Sequence, residues 1–210
     1  MSPDSAIIII GAGLAGSEAA LVLASRGIPV TLYEMRPHVM TPAHRTELPA
    51  ELVCSNSLKA KTPPSAHGLL KEELRMLRSP LLDAATQNEV PAGGALAVDR
   101  DRFSKTVLLM LQRAGVNIVR KEITEPPQDT CAIIAAGPLA SDPLVTWLTR
   151  RFSAEALNFY DAIAPVIDAD SVDKSKIFFA SRRDSESSDY CNCPFTKEEY
   201  ARLYTALLEA

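Results

Sequence analysis

Ile7-Ile8-Ile9-Ile10-Gly11-Ala12-Gly13-Leu14-Ala15-Gly16-Ser17-Glu18-Ala19-Ala20 is the stretch whose reading decides the fold. Four β-branched residues run into a Gly-x-Gly-x-x-Gly turn, and an Ala/Leu-rich segment follows. The apolar run reads as a strand buried on both faces. Gly11 suits a tight turn, Gly13 a close approach of backbone to a diphosphate, and Gly16 the packing of helix on strand. A helix that starts near Leu14 would point its free N–H groups and positive dipole end at that diphosphate. Val30-Thr31-Leu32-Tyr33-Glu34 reads as a second strand that ends in an acid, roughly 20 residues further on. A carboxylate there would accept hydrogen bonds from a ribose hydroxyl. Strand, turn, helix, strand and terminal acid occur in the order a dinucleotide site requires. The motif alone does not separate FAD from NAD.

Outward from this unit, composition sets the bounds. The chain has 210 residues, 47% of them hydrophobic, enough for one full domain with its own core or a domain plus a small extension. A formal charge of −4 argues against a nucleic-acid binder overall, so any basic surface must be local. No stretch reads as a signal peptide, and no apolar run approaches membrane-spanning length. Cys54, Cys131, Cys191 and Cys193 do not form a disulfide framework, and Cys-Asn-Cys does not match a zinc pattern. No metal site is expected, and a reducing cytoplasm is the simplest compartment.

In chain order, Leu14 to Arg26 forms the first helix, with Gly27 as its stop. From Arg36 to Pro64 five prolines forbid a long regular element, and a long irregular stretch in a compact domain is more often functional than accidental. Between Arg36 and Arg78 stand seven Lys/Arg (Arg36, Arg45, Lys59, Lys61, Lys71, Arg75, Arg78) against four acids, a local net of +3. On composition alone this reads as a solvated loop and helix face. Helices are expected over Leu69 to Leu77, after Gly68, and over Leu81 to Asn88. A strand-like run follows the glycine pair Gly93-Gly94. Asp101 is the expected N-cap of a helix from Arg102 to Ala114, and Val116 to Ile123 the next strand. Cys131 to Ala136 reads as a further buried strand that ends at Gly137. It lies beside the first strand with its glycine end toward a dinucleotide, or it is a core strand with a turn. Asp142-Pro143 opens a helix to about Thr149.

After Arg151 the character changes. Phe152, Phe159, Tyr160, Phe178 and Phe179 fall in short irregular or strand-like runs, and Ser181 to Asp189 is a polar loop. Thr196-Lys197-Glu198-Glu199 matches a capping box, and the helix it opens carries Tyr200, Leu203, Tyr204 and Leu207 on one face. The domains expected are residues 1–150, a dinucleotide-binding domain with an inserted region at 36–98, and residues 151–210, the start of a second region. The fold class is α/β, Rossmann-like, of the glutathione-reductase type and incomplete, with an inserted irregular segment. The candidate cofactor contacts are Gly11, Ala12, Gly13, Leu14, Ala15 and Gly16 of the turn, with Glu34 and Gly137.

Glu51-Leu52-Val53-Cys54-Ser55-Asn56-Ser57-Leu58 is the second informative stretch. A thiol becomes a useful nucleophile where nearby positive charge favours the thiolate, and Arg45, Lys59 and Lys61 could supply it. On composition alone a buried, inert cysteine is the commoner reading.

With these residues in view, the chain resembles a known family. "GAGLAGSEAA", "VTLYEMRP", "MTPAH", "ELVCSNSL", "GLLKEELR", "VPAGGALAVDR", "FYDAIAPVID" and "CPFTKEEY" together resemble the TrmFO family of folate- and FAD-dependent tRNA (uracil-5-)-methyltransferases. Generic flavoproteins share only the first. The resemblance implies FAD as the bound dinucleotide, 5,10-methylenetetrahydrofolate as carbon donor, NAD(P)H as reductant, and the T-loop uridine of tRNA as substrate. It implies a catalytic role at the flavin for Cys54, FAD contacts at Gly11, Gly13, Gly16 and Glu34, and tRNA phosphate contacts for the local basic stretch. It also implies that family members continue past this chain's end, with a second catalytic cysteine there, and that Cys193 is structural. Other readings of the same residues are a truncated dinucleotide-binding module without methyltransferase activity and a generic FAD- or NAD-linked oxidoreductase. The residues around Cys54 argue against the last.

Overall fold

The four-isoleucine run forms β1 (Ile7–Ile10), and the glycine turn leads into α1 (Leu14–Ala24) and then β2 (Val30–Glu34). In this computed structural model residues 6–128, 130–152, 167–181 and 188–209 are described. The remaining elements are β3 (Ser57–Ala60), α2 (Ala66–Met76), α3 (Pro80–Gln87), β4 (Glu89–Val90), β5 (Ala95–Val98), α4 (Arg100–Arg113), β6 (Asn117–Arg120), β7 (Ala132–Ile134) and α5 (Asp142–Phe152). They are followed by β8 (Phe178–Phe179), β9 (Cys191–Asn192) and α6 (Lys197–Glu209). The chain divides into two compact units, Met1–Val90 with Leu96–Ala164, and Pro91–Ala95 with Pro165–Ala210.

The first unit is built on a parallel sheet of order β6-β2-β1-β7. The expected α/β Rossmann-like class is therefore the one observed, with the strand before Gly137 lying beside β1. Its helices follow from local signals. Asp99, not Asp101, caps α4 by accepting the Arg102 N–H at 3.0 Å, so this helix starts two residues earlier than its sequence suggests. Ser65 caps α2 and draws Gly68 into the first turn, where a side chain would strike the backbone at Thr62 and Pro63. Ser79 caps α3, and the Glu18 carboxylate of α1 accepts the Leu81 N–H at 3.1 Å. The strand expected over Val116–Ile123 shortens to the four residues that pair with β2, from Thr31↔Asn117 to Glu34↔Arg120. β7 is half-buried rather than buried, because it is the edge strand of this sheet.

The core lies where α1, α3 and α4 meet the sheet: Ile9, Ala20, Leu32, Ala84, Phe103, Val107 and Leu111 are fully enclosed. Phe103, Val107 and Leu111 recur every four residues and so share one face of α4. The inserted region at 36–98 holds the two helices expected there, α2 and α3, and the strand-like run after the glycine pair becomes β5 of a second sheet of order β3-β5-β4, whose strands β3 and β4 are not among those expected. Lys71 fastens β3 to α2 by donating to the carbonyls of Leu58 and His67, and burial, then the charge of Arg75, lowers its pKa.

In the second unit, Phe178 and Phe179 pair with Asn192 and Cys191 in a two-stranded ladder. The Tyr190 hydroxyl donates to the Ala92 carbonyl at 2.8 Å, and Asp189 accepts the Gly93 N–H. The capping box forms as read: Thr196 N–H donates to the Glu199 carboxylate at 2.8 Å, and Glu199 N–H returns to Oγ1 of Thr196 at 3.2 Å. Phe159, Tyr160 and residues 182–187 of the polar loop lie outside the described residues. Among the described residues no helix is long and apolar enough to cross a membrane.

Phe103→Ala is expected to destabilise the chain by about 3–5 kcal/mol, read as a lower urea midpoint, because it opens a cavity under α4. Leu109→Ala, on the exposed face of the same helix, is expected to stay within about 0.5 kcal/mol.

Candidate nucleotide-binding site

The glycine turn is shaped by backbone collisions. Gly11 has φ +100°, and a Cβ there would stand 2.6 Å from the Ala135 carbonyl oxygen. A Cβ on Gly16 would drive into the Gly11 carbonyl. These two glycines let α1 start directly against β1 and β7. Gly13 differs: nothing lies within 4 Å of a Cβ built on it. It occupies the N-cap position of α1 and supplies no side-chain acceptor, and the first turn carries no acid. Leu14 and Ala15 beside it are exposed. The helix therefore presents N–H groups and a positive dipole end to open space, the arrangement that binds phosphate oxygens.

Glu34 closes the other side. It is 5% exposed, and its carboxylate accepts three donors: the Ala12 N–H at 3.0 Å on Oε2, and the Arg36 N–H at 3.1 Å and Nε at 2.9 Å on Oε1. Burial raises its pKa, but the hydrogen bonds and charge of Arg36, with the Ala12 N–H, outweigh that and hold the carboxyl below the ordinary glutamate range. The stability this gives is present above the unfolded value of 4.5 and is lost as pH falls through the lower folded value. A carboxylate offers about four lone-pair sites, so three donors leave one for a ribose hydroxyl.

Glu34, Gly11 and Gly13 line one cleft with Met35, Arg36, His44, Lys121, Glu122, Ile123, Ala136, Leu139, Ser141 and Leu144. Gly137, at φ +67° and exposed, follows Ala136 at its edge. The residues present thus fit a dinucleotide: open donors for the diphosphate, an acceptor for the ribose, and apolar walls. Among the described residues no group of three or more His, Cys, Asp or Glu could hold a metal ion.

Cys54 is exposed and is not among the side chains that line this cleft. Its segment is nonetheless fastened to the glycine turn, because the Ala50 N–H donates to the Ala12 carbonyl at 2.8 Å and Leu52 enters the core. Sequence reasoning missed the roles of Arg36 and Glu51. Arg36 is 2% exposed and joins Glu34 to Glu51, so it is no part of a solvated basic face. Lys71 is buried, Lys61 pairs with Glu89, and Arg75 pairs with Glu72. The local +3 therefore reaches solvent mainly through Arg45, Lys59 and Arg78. The sequence signal that could have found Arg36 is its place two residues after a carboxylate fated for burial.

Comparison with known proteins places the chain. The family described as Glucose inhibited division protein A matches residues 6–210. Curated relatives named Methylenetetrahydrofolate--tRNA-(uracil-5-)-methyltransferase TrmFO are about 50% identical to it over the matched stretch. That of Lactococcus lactis subsp. cremoris (strain MG1363) is 52% identical over 205 residues, covering 97% of this chain and 46% of the relative. That of Desulfitobacterium hafniense (strain Y51) is 52% identical over 207 residues, covering 98% and 47%. That of Fusobacterium nucleatum subsp. nucleatum is 49% identical over 208 residues, covering 99% and 48%. The chain spans about half the length of the curated relatives it matches. A family match along nearly its whole length means that the chain belongs to the Glucose inhibited division protein A family.

Proposed function

We propose that this chain supplies the FAD seat and one catalytic thiol of a methylenetetrahydrofolate- and FAD-dependent enzyme that methylates carbon 5 of a tRNA uridine. The observation that carries the reading is the uncapped N-terminus of α1 facing the same cleft as the Glu34 carboxylate. Relatives about 50% identical, named for that reaction, support the choice of chemistry. Under this reading the N–H groups at Leu14, Ala15 and Gly16 hold the diphosphate, with Gly11 and Ala12 shaping the turn. Glu34 accepts a ribose hydroxyl, and Gly137 keeps the far wall open. FAD, when bound, supplies the redox chemistry that turns a folate-borne carbon into a methyl group, with NAD(P)H as the source of reducing equivalents.

What the chain's own residues do is orient and exclude. The buried Glu34–Arg36–Glu51 array fixes the cleft, and the fastening of Ala50 to Ala12 sets where the segment toward Cys54 begins. An exposed thiol suits a group that must reach a substrate base. Carbon 5 of uracil is a poor nucleophile until a thiolate adds at carbon 6, so an accessible cysteine near a folate-derived carbon has a defined use. Arg45, Lys59 and Arg78 are the candidate contacts to tRNA phosphates, consistent with a chain that is acidic overall but locally basic.

Gly13→Ala places a methyl group in the open space above the turn without touching the protein. Stability should change by less than about 1 kcal/mol, while FAD affinity, read by flavin absorbance on titration, should fall about tenfold or more. A variant that binds FAD like the wild type would remove the diphosphate from this turn. Cys54→Ala is expected to abolish transfer of labelled carbon from methylenetetrahydrofolate to tRNA while FAD stays bound. Undiminished transfer would take Cys54 out of the chemistry.

A further inference from the structure

Arg36 is an almost completely enclosed arginine, and four of the five N–H groups of its guanidinium are accounted for. Nε donates to Glu34 at 2.9 Å. Nη1 donates to the Glu51 carboxylate at 2.8 Å and to the Thr46 carbonyl at 3.1 Å, and Nη2 to the Leu48 carbonyl at 3.2 Å. Glu51 in turn gathers its own loop: Oε1 accepts the Arg45 N–H at 2.8 Å, and Oε2 accepts the Thr46 N–H at 3.2 Å and its hydroxyl at 2.8 Å. From Glu51 the chain runs through buried Leu52 to Cys54, three residues on. One cation thus sits between a carboxylate at the end of β2 and the root of the segment that carries the thiol.

The geometry points to Arg36 as a positioning residue that keeps the Glu34 carboxylate ionised and aimed into the cleft and, through Glu51, ties it to the Cys54 segment. This rests on the reading of the cleft as a nucleotide seat. A buried carboxylate without its counter-ion takes up a proton. The peptide groups at Thr46 and Leu48, set in a proline-broken loop, have no ladder to serve them and use this guanidinium. What holds the nucleotide side of Arg36 therefore also holds the loop side. Any ligand that competes for Glu34 shifts the order of the Cys54 segment, and the effect is reciprocal. The titratable and charged groups that bear on Glu34 are Arg36, Glu51 across the guanidinium, and His44, Lys121 and Glu122 on the cleft wall, with Arg120 donating to the Arg36 carbonyl.

Arg36→Met keeps most of the volume and removes the charge, whereas Arg36→Lys keeps the charge and loses the planar fork. Followed by carbon-13 NMR, Glu34 should titrate below the ordinary glutamate range in the wild type, above it in Arg36→Met, and between the two in Arg36→Lys. Alkylation of Cys54 by iodoacetamide, read peptide by peptide, should quicken about tenfold in Arg36→Met, with Cys131 and Cys193 as unchanged controls. FAD affinity should fall in Arg36→Met, more at about pH 6 than at about pH 8 because the raised carboxyl protonates as pH falls, and Lys should restore part of it. If Glu34 titrates in the same place in all three proteins and Cys54 reacts at one rate, Arg36 only fills space and the inference is overturned. A wild-type chain that binds no FAD would sink the nucleotide reading, yet titration and alkylation would still decide the role of Arg36. Should Arg36→Met fail to fold, Arg36→Lys carries the test, and a Lys variant indistinguishable from wild type in both readouts overturns it.

Discussion

The carboxylate of Glu34 is the group on which the arrangement of the first unit turns. It receives the Ala12 N–H from the glycine turn and two donors from Arg36, and it sits at the end of a central strand. Burying a charge is costly unless it is paired and hydrogen-bonded. Here the pairing is complete enough that the carboxyl stays ionised against its own desolvation. Taking away one partner of such a buried pair typically costs about 3–5 kcal/mol, because the other is left uncompensated. Turn, strand and loop are thereby held to one another by a group that must stay charged.

The glycine turn adds a constraint of shape. Gly11 and Gly16 have no room for a Cβ, whereas Gly13 has nothing around it. The two kinds of glycine look alike in sequence but do different things. The first kind brings helix and strands together. The second leaves the helix N-terminus without a side-chain cap.

Much of this was legible in the sequence, because it is local. The four isoleucines, the glycine spacing, Gly27 and Gly115 after their helices, and the Thr196–Glu199 capping box each act within a few residues, and each appears where it was read. What was illegible depends on distant partners. Asp101 reads as the cap from its neighbours, but the Asp99 carboxylate takes the Arg102 N–H, and the Asp99 N–H is tied to the Asn88 carbonyl, a distant partner that the local sequence does not show. The length of β6 is set by β2, more than eighty residues earlier, and not by its own apolar run. Arg36 counts toward a basic surface in any tally of charges, and its pairing with both Glu34 and Glu51, fifteen residues on, shows that it points inward. In the second unit, periodicity gave the apolar face of α6, but Tyr200, Leu203, Tyr204 and Leu207 stand exposed. A period reports that a face is apolar and says nothing of what it meets.

The proline-broken segment shows why irregular backbone is tolerated beside the cleft. Peptide groups there cannot satisfy one another in a helix or ladder, so side chains must do it. Arg36 and Glu51 do so as a pair, with the guanidinium taking carbonyls and the carboxylate taking N–H groups. A lysine could supply the charge but not the fan of directions that reaches Glu34, Thr46, Leu48 and Glu51 together. The loop is therefore fixed without regular structure, and its fixing depends on a carboxylate that lines the cleft. A segment held in this way is set in place by charge pairing across the cleft wall rather than by a ladder of its own.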